Sequence, residues 1–185
     1  MKQQKAFKKG NIHSTNYIDY WIFMNIRNYL WILNIAGALL AIISIMTPTS
    51  YNDTTPTLYY IWMTQIAIDI EPFAIYLLRQ DLMLVIISSI LALIILSSSL
   101  IAMTLTITYI RASLNYKKLR WKMIVLAGLV IASTLGWIIM MELFYNNYGY
   151  NHWITTGGGY SPSFGVIGPF IGAALIILGI FSRRE

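Results

Sequence analysis

The chain has 185 residues, of which 57% are hydrophobic and 11% are charged, and its mean hydropathy is +0.63. A soluble domain of this length needs far more polar surface, so the composition predicts an integral membrane protein of one domain. The absence of cysteine excludes disulfides, cysteine-ligated metals and thiol chemistry, and the clustering of the +6 net charge argues against a nucleic-acid partner.

Residues 1–28 are polar and basic at first and then mix aromatic with polar side chains. This order predicts a cytoplasmic tail followed by an interfacial segment, because aromatic residues favour the headgroup level of a bilayer. Residues 29–185 are expected to form a four-span membrane domain. Its first span is 29–46, a run just long enough to cross.

Residues 47–81 are expected to form an outer segment. Its first part has turn composition, with Pro48 and Pro56 breaking any helix. Residues 58–71 then alternate imperfectly and favour a two- or three-stranded patch, with a buried re-entrant segment as the alternative. After Pro72 the chain is expected to begin the helix of the second span.

The second span, 82–110, contains no charged residue. A helix of this length measures ~43 Å, enough to cross a ~30 Å hydrocarbon core with tilt. Spacings of four and three place a set of mainly small residues on one face: Ser88, Ala92, Ile95, Ser99, Ala102 and Thr106. Such a face predicts close helix packing, although the hydroxyls could instead bond to their own helix carbonyls.

The third and fourth spans, 123–145 and 164–181, follow a short basic loop at 111–122 and a polar aromatic segment. Small residues recur four apart in both spans, at Gly128, Ala132 and Gly136 and at Gly168 and Gly172. This spacing lets helix backbones approach closely, so these residues are predicted to pack helices together.

The basic residues fix the expected orientation. Five Lys or Arg precede residue 29, five lie in the 111–122 loop, and two lie at the C-terminus. The opposite side holds Arg79 against four acids. The positive-inside rule predicts that both termini are cytoplasmic and that residues 47–81 and 146–163 lie outside. We expect a multi-pass protein of the plasma membrane.

Few residues could carry chemistry. The two histidines are predicted to lie on opposite membrane faces, and Glu142 is the one acid within a predicted span, where we expect it to pair with Arg79 at the outer interface. Asn52 begins an Asn-Asp-Thr sequon on the outer side and is a predicted glycosylation site. No catalytic residue, cofactor site or metal site is predicted, and the protein is not expected to be an enzyme.

The order of these parts resembles that of claudin and peripheral-myelin-protein four-span proteins. Arg79 followed by Leu82-Met83 is similar to the family's opening of the second span, and Phe144-Tyr145-Asn146 is similar to its step after the third. The family's Gly-Leu-Trp motif stands here as Tyr60-Ile61-Trp62, without cysteines. The resemblance implies a four-helix bundle with a β-rich first outer loop, and a role in lateral or cell-surface association.

The sequence thus predicts an all-α membrane protein, a left-handed four-transmembrane-helix bundle capped by a small extracellular β-sheet. The expected function is structural, and the expected partners are the lipid bilayer and further copies or other membrane subunits. An accessory subunit of a larger membrane complex is the first alternative. A small channel or transporter is the second, and it would expose polar groups near the bilayer midplane.

Overall fold

The computed structural model describes residues 31–52, 57–62, 64–67, 74–77, 82–112, 116–147 and 161–180, so the predicted tail and interfacial segment lie outside the described residues. The described residues form four helices: α1 (Trp31–Ile45), α2 (Leu82–Ala112), α3 (Tyr116–Asn147) and α4 (Phe164–Gly179). They also form five short strands: β1 (Ser50–Asn52), β2 (Thr57–Tyr59), β3 (Thr64–Ala67), β4 (Ala74–Leu77) and β5 (Ser161–Pro162).

The helix bounds follow from where the sequence permits an unbroken helix. α2 runs for 31 residues without Gly or Pro. α3 begins at Tyr116, seven residues before the predicted span, because the basic stretch of residues 116–122 consists largely of good helix formers. α1 ends before Pro48, which disfavours a helical conformation for the residue that precedes it. α2 and α3 are both long and apolar enough to cross a membrane.

The helices pack as an up-down-up-down bundle. α1 makes its largest contact with α4, and α2 makes its largest contact with α3. α1 and α4 are antiparallel, since Asn34 near the start of α1 meets Gly179 at the end of α4, and Ser44 meets Gly168. The start of α1, the end of α2, the start of α3 and the end of α4 therefore lie together at one end of the bundle. The strands are connected to the helices at the opposite end of the bundle.

The strands form one antiparallel sheet in the order β4-β3-β2-β1-β5. β5 comes from the segment between α3 and α4 and pairs with β1, with Ser50 opposite Pro162 and Tyr51 opposite Ser161. Pro162 cannot donate a backbone hydrogen bond, and its place on an edge strand accommodates that. The sheet thus joins the two segments that were expected to lie on the outer side.

The expected layout of the first of these segments is wrong in three respects. β1 lies within the stretch predicted as turn, and β4 lies within the stretch predicted to begin the second span. The predicted alternation is interrupted by a turn at Ile61 and Trp62, which leaves Tyr59 and Ile61 buried. Strands of two to four residues are too short to impose a period-2 pattern, so pairing partners rather than local sequence decide their positions.

The segment between α1 and β1 ties the sheet to α4. Thr49 is fully buried, and both its N–H and its Oγ1 donate to the carbonyl of Tyr59, at 2.6 and 2.8 Å. The N–H of Ser163 donates to the carbonyl of Thr49 at 2.9 Å, and the Ser163 hydroxyl donates to the carbonyl of Pro48. Ser163 precedes the first residue of α4, so this one segment positions the start of that helix against the end of α1.

Candidate functional site

The closest helix contact is a glycine interface between α1 and α4. A Cβ on Gly172 would lie 2.6 Å from the carbonyl oxygen of Gly37 and 3.1 Å from the Cβ of Ala41. A Cβ on Gly168 would lie 2.5 Å from the Cβ of Ser44. The distances of 2.6 and 2.5 Å are shorter than real Cβ contacts, so the two helix backbones approach this closely only because these positions lack side chains.

The two backbones approach each other equally closely at both ends of the α1–α4 glycine interface. A Cβ on Gly165 would lie 2.6 Å from the carbonyl oxygens of Thr47 and Pro48, and one on Gly179 would overlap the side-chain oxygen of Asn34. The interface therefore runs the whole length of α4. Gly168 and Gly172, which the sequence singled out, lie within it and face α1. This face is covered within the chain and is not a surface for another subunit.

The predicted small-residue face of α2 is buried along its length. Ser88, Ala92, Ile95, Ser99 and Ala102 are fully buried, and Thr106 nearly so. Its polar groups behave in two ways. The Thr106 hydroxyl donates to the Ala102 carbonyl at 2.8 Å, as in ordinary helix back-bonding, whereas the hydroxyls of Ser88 and Ser99 have no hydrogen-bond partner among the described residues. At those two serines, small size and packing are the more important property.

The predicted stripe on α3 differs from expectation. Gly136 is half-buried, and a Cβ placed on it would lie 3.7 Å from a methyl group of Leu91, but Gly128 and Ala132 are exposed, and no described atom lies within 4 Å of a Cβ placed on Gly128. A four-residue step turns a helix by ~40°, so a stripe of this spacing winds away from a fixed face. The buried face of α3 is instead marked by larger side chains, with Val130, Trp137 and Met141 fully covered.

Polar groups of several helices converge at the end of the bundle opposite the sheet. The cleft there is lined by Trp31, Asn34, Thr106, Tyr109, Leu119, Arg120, Met123, Gly179 and Ile180. Asn34 is 4% exposed, and its side-chain oxygen has no hydrogen-bond partner among the described residues. The cleft measures about 10 Å³, which is room for roughly one water and too little for an organic substrate.

The remaining predicted site residues lie partly outside the described residues. Arg79 is one of these, so its expected ion pair with Glu142 stays a prediction; Glu142 itself is half-buried near the sheet end of α3. Asn52 ends β1 opposite Thr57, and its glycosylation likewise stays a prediction. Both histidines lie outside the described residues, within which no cluster of His, Asp or Glu could hold a metal.

In comparisons with known proteins, no family model and no curated protein matches this sequence.

Two glycine-to-alanine substitutions, one inside the glycine interface and one outside it, test the packing of α1 on α4. Gly172→Ala should destabilise the protein by ~1–3 kcal/mol, because the new methyl group forces α1 and α4 apart. Gly128→Ala adds the same methyl group at an exposed helical position and should be neutral or stabilising by up to ~1 kcal/mol. Thermal unfolding of the purified protein in mild detergent measures both. Equal melting temperatures for the two variants would contradict the assigned packing.

Proposed function

We propose that the protein is a four-span integral membrane protein with a structural role, and that it associates laterally with other membrane helices. The observation that carries this proposal is the apolar outer surface of the long helices. Only 33% of the most apolar window of α2 and 39% of that of α3 is buried. The core helix of a soluble protein would be mostly buried, so these two helices need an apolar solvent.

The shorter helices present the same kind of surface. α1 and α4 have 15 and 16 residues, and their exposed apolar residues include Ile43 and Leu178, each more than half exposed. They measure ~23 Å, somewhat less than the hydrocarbon core, but the apolar sequence continues for one or two residues beyond each. α1 also packs against α2, and α4 packs against α3, which supports the proposal that all four helices cross the same apolar layer.

Charge supports one orientation. The cleft end of the bundle holds the basic residues of the 111–122 stretch, which include Arg120 and Lys122 in the first turns of α3, while Glu142 lies towards the sheet end of α3. Basic residues favour the cytoplasmic side of a bilayer. We therefore place both termini in the cytoplasm and the sheet outside, in the plasma membrane, as in the claudin-like arrangement that the sequence resembles.

The filled interior favours association over transport. The largest fully buried side chains include Trp137, Ile95, Met141 and Ile176, which are apolar and belong to the core between the described helices. A conducting pore would need a polar or hydrated path, whereas two thirds of the buried side chains among the described residues are apolar. The polar cleft at the inner end is too small for an organic substrate, which favours a structural role over a catalytic one.

Gly128 and Ala132 on α3 offer a surface for such association. They are exposed one turn apart on the same side of the helix, and we refer to them as the α3 small face. Another transmembrane helix could approach this face closely enough for dispersion contacts and Cα–H hydrogen bonds to accumulate. The occupant is a second copy of the chain or, in the accessory-subunit alternative, a helix of a larger membrane complex.

Cysteine labelling tests the membrane topology, because the chain has no cysteine of its own. Ser161→Cys, at an exposed position in β5, should react with an impermeant maleimide in intact cells, and Ser113→Cys should react only after permeabilisation. Labelling of Ser113→Cys alone in intact cells would invert the orientation. Release of the protein from membranes by alkaline washing would contradict the spanning arrangement itself.

Two substitutions of alanine by leucine, one on the α3 small face and one on α4, test the proposed association surface. Ala132→Leu should weaken co-purification of a differently tagged second copy, or of the other subunits, by roughly 5- to 150-fold, the equivalent of ~1–3 kcal/mol of overpacking. Ala174→Leu makes the same change at an exposed position of α4 and should leave association intact. Both variants should melt like the parent protein. Undiminished association of Ala132→Leu would contradict the assignment.

A further inference from the structure

A second surface feature is an open groove between α2 and α3 near the cleft end of the bundle. Its volume is about 410 Å³, within the range of ligand pockets, and it is lined by Ile101, Leu105, Trp121, Lys122, Val125 and Leu126. Leu126 is buried and forms the floor, whereas Trp121 is 71% exposed and Val125 is 56% exposed. The groove is therefore open towards the surroundings of the bundle rather than towards its interior.

The lining is ordered along the helix axis. Trp121 and Lys122 lie ~9 Å from the start of α3, and Val125 and Leu126 lie one turn deeper. On α2, Leu105 lies ~10 Å and Ile101 ~16 Å from the end of the helix. The groove thus has an ammonium group and an indole ring at its shallow end and aliphatic side chains at its deep end.

We propose that this groove binds an anionic glycerophospholipid of the inner leaflet, with its phosphate at Lys122 and an acyl chain along Ile101, Val125 and Leu126. The inference rests on the proposed membrane orientation. Lys122 is the one charged residue of the described lining, and it is matched by a phosphate at the depth where acyl chains begin. Trp121 is suited to the headgroup level, where aromatic residues are enriched.

Charge decides between this occupant and a transmembrane helix. A helix crossing the membrane would fill the apolar depth of the groove but would bring no anion to Lys122. The side chain of Lys122 can place its ammonium group in the headgroup region while its methylene groups cover apolar surface. The end of α2 adds Arg111 and the start of α3 adds Lys117 and Lys118 in sequence, and these charges raise the local concentration of anionic lipid.

Lipid titration of the full-length protein in mild detergent, followed by native mass spectrometry, tests the proposal. Phosphatidylglycerol and phosphatidylcholine with identical acyl chains are the two probes. For the first lipid molecule bound, the parent protein should have a higher affinity for phosphatidylglycerol than for phosphatidylcholine. Lys122→Gln should weaken phosphatidylglycerol binding about fivefold and leave phosphatidylcholine unchanged, because one ammonium–phosphate attraction is lost. Lys5→Gln removes the same charge in the N-terminal tail and should have no such effect.

A second pair of variants tests the apolar depth. Val125→Trp should fill the groove and weaken binding of both lipids, whereas Leu143→Trp, at a similarly exposed position near the other end of α3, should not. Equal affinity of the parent for the two lipids, or an unchanged Lys122→Gln, would overturn the lipid assignment. Loss of a dimer signal in Val125→Trp, with the affinity for both lipids unchanged, would instead identify a helix as the occupant. The proposed function fails separately, if alkaline washing releases the parent protein from membranes.

Discussion

The structure depends on one constraint, the contact between the backbones of α1 and α4. Gly37 and Gly172 bring their helices so close that neither position can hold a methyl group without displacing the other helix. In the bilayer that we propose as the surroundings of this protein, helices would gain little from burying apolar side chains against each other, since lipid is equally apolar. Their association would then rely on dispersion at short range, which close glycine contacts favour. The four glycines of α4 that face α1 are therefore the residues on which the rest of the bundle is positioned.

This contact also explains how the segments that carry the strands come together. The end of α1 and the start of α4 are adjacent, so the strands that follow and precede them, β1 and β5, can pair although they are far apart in sequence. Thr49 and Ser163 then link the sheet to both helices through backbone hydrogen bonds. α2 and α3 complete the bundle as a second antiparallel pair, and their outward faces remain available. The α3 small face, which we propose as an association surface, and the groove that we propose binds lipid are both on this pair. The α1–α4 contact and the two proposed surfaces therefore belong to different parts of the bundle.

The sequence predicted best where one physical signal was sufficient. The long uncharged run correctly predicted that α2 begins at Leu82 and predicted its end to within two residues. The mixed spacing of three and four correctly predicted that Ser88 and Ser99 lie on the buried face. Four-residue spacing alone was misleading on α3, because it winds around the helix, and only the neighbouring helices determine that Gly128 is left uncovered. The groove at Lys122 had no local signal, since its two walls come from different helices. The pairing of β1 with β5 was equally invisible in the sequence.

Cross-linking in native membranes tests the central arrangement most directly. Ser50→Cys and Pro162→Cys are register partners on β1 and β5, and cross-strand partners lie within the Cα–Cα range that a disulfide requires. Mild oxidation of the double variant should give an intramolecular disulfide, seen as a faster-migrating monomer that reverts on reduction. Each single variant should give no such band. A double variant that stays reduced, or that forms only dimers, would contradict the account, because α1 and α4 would not then be held side by side as an antiparallel pair.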